Sequence, residues 1–154
     1  LKNKFDFYIN VQGDEPLMNP KDLASVISEH TKHPNSVING YCEITSRNEF
    51  FSTSIPKVTF SEEGKLMYMS RSGIPGDKNR DFKLGYRQVC VYSFPFEALK
   101  KFASKSAKTR FESIEDIEIL RFVEMGIDVR MIELTSESIS VDNLEDVEKV
   151  LRKL

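Results

Sequence analysis

The 154-residue chain lacks the features that define several large protein classes. Its two cysteines, Cys42 and Cys90, lie in apolar runs and match no metal-binding or redox spacing, so we expect two buried free thiols. No run approaches the roughly 18–20 apolar residues that a membrane span needs, and no signal peptide is visible. The net charge of −2 offers no basic footprint for sequence-independent nucleic-acid binding. These absences predict a soluble cytoplasmic protein.

Glycine-rich phosphate-binding motifs are also absent, because neither G-x-G-x-x-G nor the P-loop pattern occurs in the chain. The composition, 40% hydrophobic and 30% charged, suits one globular domain with a real core. Strand-like and helix-like segments alternate, which predicts a mixed α/β sheet.

The predicted elements follow from periodicity and from turn and capping residues. Strands are predicted at residues 5–9, 37–42, 57–60, 65–69, 89–92 and 129–132, and helices beginning at Pro20, Pro95, Ser113 and Asn143. The helix from Ser113 is expected to run unbroken to Met125, and the last helix to carry an apolar stripe of Leu144, Val147, Leu151 and Leu154. Residues 71–86 read as a long loop, which inside a compact domain is usually functional or mobile.

The first strand-like run ends in Gln12, Gly13, Asp14, Glu15 and Pro16. In open α/β sheets, ligands bind at the carboxyl ends of strands, and Gly13 lets the backbone turn sharply or approach a ligand closely. Two adjacent carboxylates are costly in a tight turn unless a positive group lies near, and a hard cation with oxygen ligands is a good candidate. The alternative is an ordinary solvated surface turn.

Four segments share a pattern with one enzyme family. Residues 10–17 resemble the motif NVQGDEP, residues 68–75 resemble YFSRxxIP, residues 111–121 resemble LExxExLEQLR and residues 141–146 resemble VDTPEDL. These motifs, in this order, are those of the 3-deoxy-manno-octulosonate (Kdo) cytidylyltransferases, which resemble the sialic-acid-type cytidylyltransferases. Because the four segments span most of the chain, the resemblance is specific.

The resemblance implies an α/β fold of the nucleotidyltransferase type, with a Rossmann-like mixed sheet and flanking helices. Residues 1–154 are then one partial domain, in which residues 57–93 contribute to the sugar site and to a homodimer interface. The apolar strands 66–69 and 89–92 would be poor exposed edges, consistent with a dimer. The family begins with a nucleotide-binding segment that carries an Arg- and Lys-containing loop. Since the chain starts at Leu1 without Met, we expect it to be the C-terminal part, with that segment missing.

The activity implied by the resemblance is Mg²⁺-dependent transfer of CMP from CTP to a Kdo-type sugar acid, with release of pyrophosphate. Such a reaction supplies lipopolysaccharide or another surface glycan. The implied partners are CTP, the sugar acid and a second copy of the chain.

The resemblance also assigns roles to individual residues. Asp14 and Asp142 match the carboxylates that hold Mg²⁺, and Arg71 matches a catalytic position near the sugar acid, whose carboxylate a guanidinium can bind in bidentate fashion. Matches to substrate-binding positions are Gln12, Gly13, Ser70, Gln88, Tyr92 and Glu118. From the residues alone, a helix-flanking acid is the preferred interpretation of Asp142, and a surface loop arginine is the commoner interpretation of Arg71.

Two positions depart from the family pattern. Ile119 replaces a glutamine, and Gln88 stands where the family usually carries a histidine; Gln88 can form hydrogen bonds but cannot titrate near neutral pH. Both departures lie on the sugar side, so we expect nucleotidyl transfer to be preserved and the sugar preference to be altered. The alternatives are a non-catalytic sugar-acid-binding or dimerisation fragment, a cytidylyltransferase for another nonulosonic acid, and an enzyme that uses another base.

The remaining charged candidates have plainer interpretations. His30 and His33 lie near a helix end without a third metal ligand close in sequence, so we expect both to be solvated or capping. The basic run of Lys100, Lys101, Lys105 and Lys108 is expected to be a solvated helix face rather than an anion site.

Overall fold

The computed structural model describes residues 5–135, 141 and 144–153, in which strands and helices alternate. The strands are Phe7–Val11 (β1), Val37–Glu43 (β2), Lys57–Phe60 (β3), Leu66–Ser70 (β4), Tyr86–Pro95 (β5) and Val129–Glu133 (β6). The helices are Pro20–Lys32 (α1), Arg47–Phe51 (α2), Phe96–Ser104 (α3), Arg110–Glu115 (α4), Ile119–Glu124 (α5) and Leu144–Leu151 (α6). None of these helices is long and apolar enough to cross a membrane.

The strands form one sheet in the order β4-β3-β5-β2-β6, and β1 also pairs with β5. β2 and β6 are parallel, and the other pairs are antiparallel, which confirms the predicted mixed sheet. β5 is longer than predicted and pairs with β1, β2 and β3. β5 is therefore an interior strand, so its apolar residues form no exposed edge, whereas β4 lies at an edge of the sheet.

Side chains alternate between the two faces of the sheet, as the two-residue period of a strand requires. On β5, Val89 and Val91 pack with Val26 of α1, whereas Tyr92 packs with residues of α3 and α5 on the other face. Both clusters are apolar and buried, so the sheet is covered on both faces. The second face, with α3 and α5, is the one that carries the cleft described below.

The helix predicted from Ser113 to Met125 is interrupted. α4 begins after Thr109, whose backbone N–H donates to the Glu112 carboxylate (2.8 Å), and ends at Asp116, which has a left-handed backbone (φ 54°). Ser113 is therefore not an N-cap. The break brings Ile117 into the core, at 4% exposure, before α5 begins. As predicted, Gly126 follows the end of α5 with a positive φ of 70°.

The two histidines have different environments. His33 is the C-cap residue of α1, which confirms its predicted capping role. His30 is buried, stacks on Phe7 and shares a 2.6 Å hydrogen bond between Nδ1 and Ser93 Oγ. The prediction of a solvated or capping His30 is therefore wrong, because the β1 and β5 side chains cover this turn of α1. Burial lowers the pKa of His30.

The predictions for the cysteines, the lysines and the last helix are confirmed only in part. Cys42 is buried and Cys90 is half-buried; both are free thiols. Lys100 and Lys101 are solvated, as predicted. α6 forms, but Leu144 and Leu151 of its predicted stripe are exposed, while Val150 is buried. The predicted cap Asn143 lies outside the described residues.

The loop of residues 71–86 is packed on the ring of Phe50 in α2, which is 1% exposed. A Cβ atom added at Gly73 or Gly85 would lie 2.6 Å from atoms of this ring. Phe82 of the same loop lies 5.0 Å from it between ring centroids. The absence of side chains at these two glycines lets the loop backbone close over Phe50.

We expect Gly85→Ala to destabilise the protein by roughly 1–3 kcal/mol, because the added methyl group would overpack the Phe50 ring. Gly76→Ala in the same loop is the matched control, since no atom lies within 4 Å of its added Cβ. Urea denaturation of the two variants measures the difference. Equal free energies of unfolding for both variants would show that the loop does not depend on this contact.

Candidate functional site

A cleft of about 560 Å³ lies between β5, the turn after β1 and the helices α3 and α5. Its lining combines polar residues from strands and turns with apolar residues from the helices and aromatic residues from β5. The polar and small lining residues are Asn10, Gln12, Asp14, Glu15, Ser54, Pro56, Arg71, Arg87, Gln88, Cys90, Asp116 and Glu118. The apolar and aromatic ones are Ile55, Tyr92, Phe94, Leu99, Phe102, Ile117, Ile119 and Phe122. A cleft with this lining suits a ligand that has both charged and apolar parts.

The structure brings most of the predicted site residues to this cleft. Those that line it are Gln12, Asp14, Arg71, Gln88, Tyr92 and Glu118, from four separate segments of the chain. Gly13 and Ser70 do not line it. Gly13 is exposed and no atom lies within 4 Å of an added Cβ, so the fold itself does not require glycine there. Asp142 lies outside the described residues.

The acidic turn after β1 is part of the cleft wall. Glu15 N donates to Gln12 O (3.2 Å), which folds the turn back on the end of the strand. Asp14 is half-buried and Glu15 is 8% exposed, so this is not a freely solvated surface turn. Val141, which precedes Asp142 in the sequence, donates its N–H to the Asp14 carbonyl (2.9 Å). Two segments far apart in sequence therefore meet at Asp14.

Arg71 is held by backbone carbonyls at the mouth of the cleft. Its Nε donates to Glu115 O (2.6 Å), Nη1 to Thr53 O (3.1 Å) and Nη2 to Asp116 O (3.1 Å). A guanidinium has five N–H donors, so these contacts orient the group and leave two donors. Arg71 is thus an oriented cleft residue rather than a free surface arginine.

Glu115 fixes the chain around Arg71. Its carboxylate accepts hydrogen bonds from Ser70 Oγ (2.7 Å), Arg71 N (2.8 Å) and Tyr68 Oη (3.2 Å). Burial alone would raise the pKa of Glu115, but these hydrogen bonds and the Arg71 charge lower it. Ser70 is 3% exposed and serves this network, which explains why it does not reach the cleft.

Lys57 is a fully buried cation beneath the same segment. Its Nζ donates to the carbonyl oxygens of Ser52, Ile55 and Arg71, each at 2.6 Å. Burial lowers the pKa of Lys57, and the nearby Arg71 charge acts in the same direction. The Lys57 ammonium thereby links the turn before β3, which contains Ser52 and Ile55, to the backbone of Arg71.

The acidic motif at residues 111–121 performs three different tasks. Glu112 is buried and binds Arg121 through two hydrogen bonds, of 2.6 and 2.7 Å, which hold α4 against α5. Glu115 holds Arg71, as described above. Glu118 is the N-cap residue that precedes α5, and it is exposed in the cleft lining. Ile119 also lines the cleft but is 3% exposed and belongs to the core.

The β5 wall of the cleft carries two aromatic rings, Tyr92 and Phe94, beside Arg87, Gln88 and Cys90. Tyr92 stacks on Phe94, and Phe94 stacks on Phe122 of α5. Burial raises the pKa of Tyr92 and raises that of Cys90 to about 11, so both groups are protonated at neutral pH. Tyr92 therefore offers a phenol hydroxyl to the cleft rather than a phenolate.

The charged residues of the cleft are of both signs. The positively charged residues of the lining are Arg71 and Arg87. The negatively charged ones are Asp14, Glu15, Asp116 and Glu118. Lys108 of the predicted basic run forms an ion pair with Asp116, which lines the cleft. Within residues 5–135, 141 and 144–153, no group of three His, Cys, Asp or Glu side chains forms a metal site.

Sequence reasoning missed three residues that support the site, namely Asn39, Lys57 and Glu115. Lys57 is the first residue of the strand β3, and Asn39 precedes a glycine inside the strand β2. A polar residue or a glycine within a strand indicates a buried hydrogen bond or a β-bulge. Glu115 was visible as a motif position, but its partners are 44 and more residues away.

The fold places the protein in the nucleotidyltransferase class. The chain superposes on the structure of a CMP:2-keto-3-deoxy-manno-octonic acid synthetase complexed with CTP, with a TM-score of 0.89 and 28% sequence identity over 99% of this chain and 65% of that one. The likeness extends over the sheet and its flanking helices.

Sequence comparison identifies the family within this class. The model of the cytidylyltransferase family matches residues 1–136, and the chain belongs to that family. It is 36% identical to the 3-deoxy-manno-octulosonate cytidylyltransferase of Geobacter sulfurreducens, over 97% of this chain and 64% of that protein. It is 32% identical to the enzyme of the same name from Acidobacterium capsulatum, over 94% of this chain and 59% of that protein. The chain thus spans about three fifths of the length of these relatives.

We expect Lys57→Met to destabilise the protein by about 3 kcal/mol or more, because three buried carbonyl oxygens would lose their donor. Lys65→Met on the adjacent strand edge is the control, since Lys65 is 61% exposed and its ion pair with Asp128 should contribute at most about 1 kcal/mol. Chemical denaturation measures both. Similar losses in the two variants would contradict a structural role for the buried ammonium.

Proposed function

We propose that the natural full-length protein is a cytidylyltransferase that joins CMP from CTP to a Kdo-type sugar acid and releases pyrophosphate. The observation that carries this proposal is the convergence of Gln12, Asp14, Arg71, Gln88, Tyr92 and Glu118 on one cleft. The family membership and the names of the relatives support the choice of CTP and of a sugar acid. The product would serve lipopolysaccharide or another surface glycan.

Each side chain suits one part of this reaction. The remaining donors of Arg71 would bind the carboxylate of the sugar acid, because a guanidinium pairs with carboxylates in a planar, bidentate manner. Gln12, Gln88 and Glu118 would form hydrogen bonds with the sugar hydroxyls. The Tyr92 hydroxyl, protonated at neutral pH, would donate to a substrate oxygen.

Mg²⁺ fits the acidic turn, and we propose that Asp14 and Asp142 hold it. Mg²⁺ prefers oxygen ligands and is typically bound by one or two carboxylates together with substrate phosphates. The 2.9 Å hydrogen bond from Val141 N to Asp14 O supports this pairing of segments. When bound, the ion would neutralise charge that develops on the phosphate oxygens.

The sugar acid is proposed to differ from unmodified Kdo. At Gln88 an amide replaces the usual histidine of the family, and Ile119 presents an apolar wall where the family pattern has a glutamine. Ile119 is 3% exposed in the core, so it offers no hydrogen bond to a sugar hydroxyl. A Kdo relative with a different hydroxyl pattern, or another nonulosonic acid, would fit such a wall better.

The proposed assembly is a homodimer through residues 57–93. β4 lies at an edge of the sheet, and its Met67 side chain is 63% exposed. An apolar side chain on an open strand edge favours contact with another surface.

We expect Met67→Lys to weaken self-association, because it would place a charge in this interface. Ile114→Lys, at an equally apolar and 72% exposed position on α4, is the control. Sedimentation velocity over a range of protein concentrations measures the association. A monomeric wild-type protein, or equal effects of both variants, would contradict the proposed interface.

The reaction is tested by pyrophosphate release from CTP and Mg²⁺, with and without Kdo and its relatives, using the natural full-length form. We expect release that needs both a sugar acid and Mg²⁺, and Asp14→Asn should reduce it about 100-fold or more because a ligand that stabilises transition-state charge is lost. Asp128→Asn, an exposed site paired with Lys65, should leave the rate unchanged.

Two outcomes would change the conclusion. If the folded protein binds a sugar acid but releases no pyrophosphate with any of them, it is a non-catalytic binding or dimerisation module. If release is fastest with unmodified Kdo by a clear margin, the proposed change in sugar preference is wrong while the enzyme assignment stands.

A further inference from the structure

The ladder between β2 and β5 is interrupted beside the cleft. Asn39 pairs with Tyr92, but the next residue, Gly40, pairs with Val89, so β5 carries two additional residues at this point. Such a bulge leaves backbone carbonyls of the longer strand without ladder partners. The Asn39 side chain lies here and is fully buried.

The Asn39 amide satisfies the carbonyls of the bulge. Its Nδ2 lies 3.0 Å from Val89 O and 3.0 Å from Val91 O. A carbonyl oxygen can only accept a hydrogen bond, so the NH₂ group of Asn39, and not its oxygen, must face these two atoms. The orientation of the buried amide is thus determined by the backbone of β5.

The orientation of Asn39 determines that of Gln88. With its NH₂ group on the bulge, Asn39 directs Oδ1 toward Gln88, and Nε2 of Gln88 donates to it at 3.0 Å. Gln88 cannot turn its amide around, because two oxygen atoms would then face each other. Its Oε1 atom is consequently the free end of the side chain, and Gln88 lines the cleft. Among the described residues, no donor bonds to this oxygen.

We propose that Asn39 and Gln88 form a polarity relay that makes Gln88 a hydrogen-bond acceptor toward the substrate. This inference rests on the proposed function for the identity of the ligand. The oxygen would select a sugar acid that carries a hydroxyl donor at the facing carbon and would reject one with an acceptor there. Asn39 does not touch the substrate; it is a positioning residue that acts through Gln88.

The relay makes distinct predictions for substitutions at residue 88. Gln88→Met keeps the length of the side chain but offers no acceptor. Gln88→His retains both functions, because a neutral imidazole has one N–H donor for Asn39 and one acceptor nitrogen for the substrate. Gln88→Glu can donate to Asn39 only in its protonated form, so the carboxyl pKa at residue 88 should be raised.

The substrate part is tested with a series of sugar acids, based on the best substrate, in which each hydroxyl in turn is replaced by hydrogen or by an O-methyl group. In the wild-type enzyme, one position should show a loss of roughly tenfold in kcat/KM with either replacement, about the effect of one hydrogen bond. In Gln88→Met that loss should disappear, and Gln88→His should restore it. An O-methyl group tolerated as well as the hydroxyl at every position would overturn the proposal.

The relay itself is tested without turnover, by NMR of the side-chain amides. We expect scalar couplings across the hydrogen bonds from Asn39 Nδ2 to the carbonyl carbons of Val89 and Val91, and slow exchange of the Gln88 Nε2 protons. The exposed amide of Asn48 serves as the control. Fast exchange at Gln88, or an unshifted carboxyl pKa in Gln88→Glu, would refute the relay even if the enzyme is active.

The two tests separate the possible failures. If the wild-type enzyme uses no sugar acid but the NMR couplings are present, the proposed function and the substrate selection are wrong and the relay stands. If turnover is normal but no analogue depends on Gln88, the proposed function stands and the selection by Gln88 is wrong.

Discussion

The hydrogen bonds of Glu115 and Lys57 around Arg71 are the interaction on which the cleft depends. The carboxylate of Glu115, in α4, accepts hydrogen bonds from Ser70 and Arg71 at the end of β4. The ammonium of Lys57 donates to the carbonyl oxygen of Arg71. A buried ammonium and a partly buried carboxylate are costly unless fully hydrogen-bonded, and here each has three partners. The break between α4 and α5 follows from this constraint, since the carbonyls of Glu115 and Asp116 both accept from Arg71.

β5 connects this network to the rest of the molecule. Its alternate residues face α1 on one side and the cleft on the other, so one strand carries both the core and part of the site. The bulge opposite Asn39 modifies that alternation at the cleft, and its unpaired carbonyls give a buried asparagine a defined orientation. The local irregularity thereby sets the chemistry that Gln88 presents to a ligand.

Much of the architecture could be predicted from local patterns. The hairpin of β3 and β4, helix α1 after its Asn19 cap and the turn at Gly126 all arise from residues close in sequence. Errors occurred where distant residues decided the outcome. The Ser113 helix breaks because Asp116 contacts Arg71, and His30 is buried because β1 and β5 cover it. Periodicity alone could not reveal either contact.

The sequence by itself determined the family, the alternation of strands and helices, and six residues of the cleft, because motifs and short-range patterns are linear properties of a chain. Only the tertiary structure decided how these residues face one another. It brings Arg71 to Glu115 and Gln88 to Asn39, across separations of 44 and 49 residues. The physical reason is that buried polar groups must find partners, and those partners are supplied by packing rather than by neighbours in sequence.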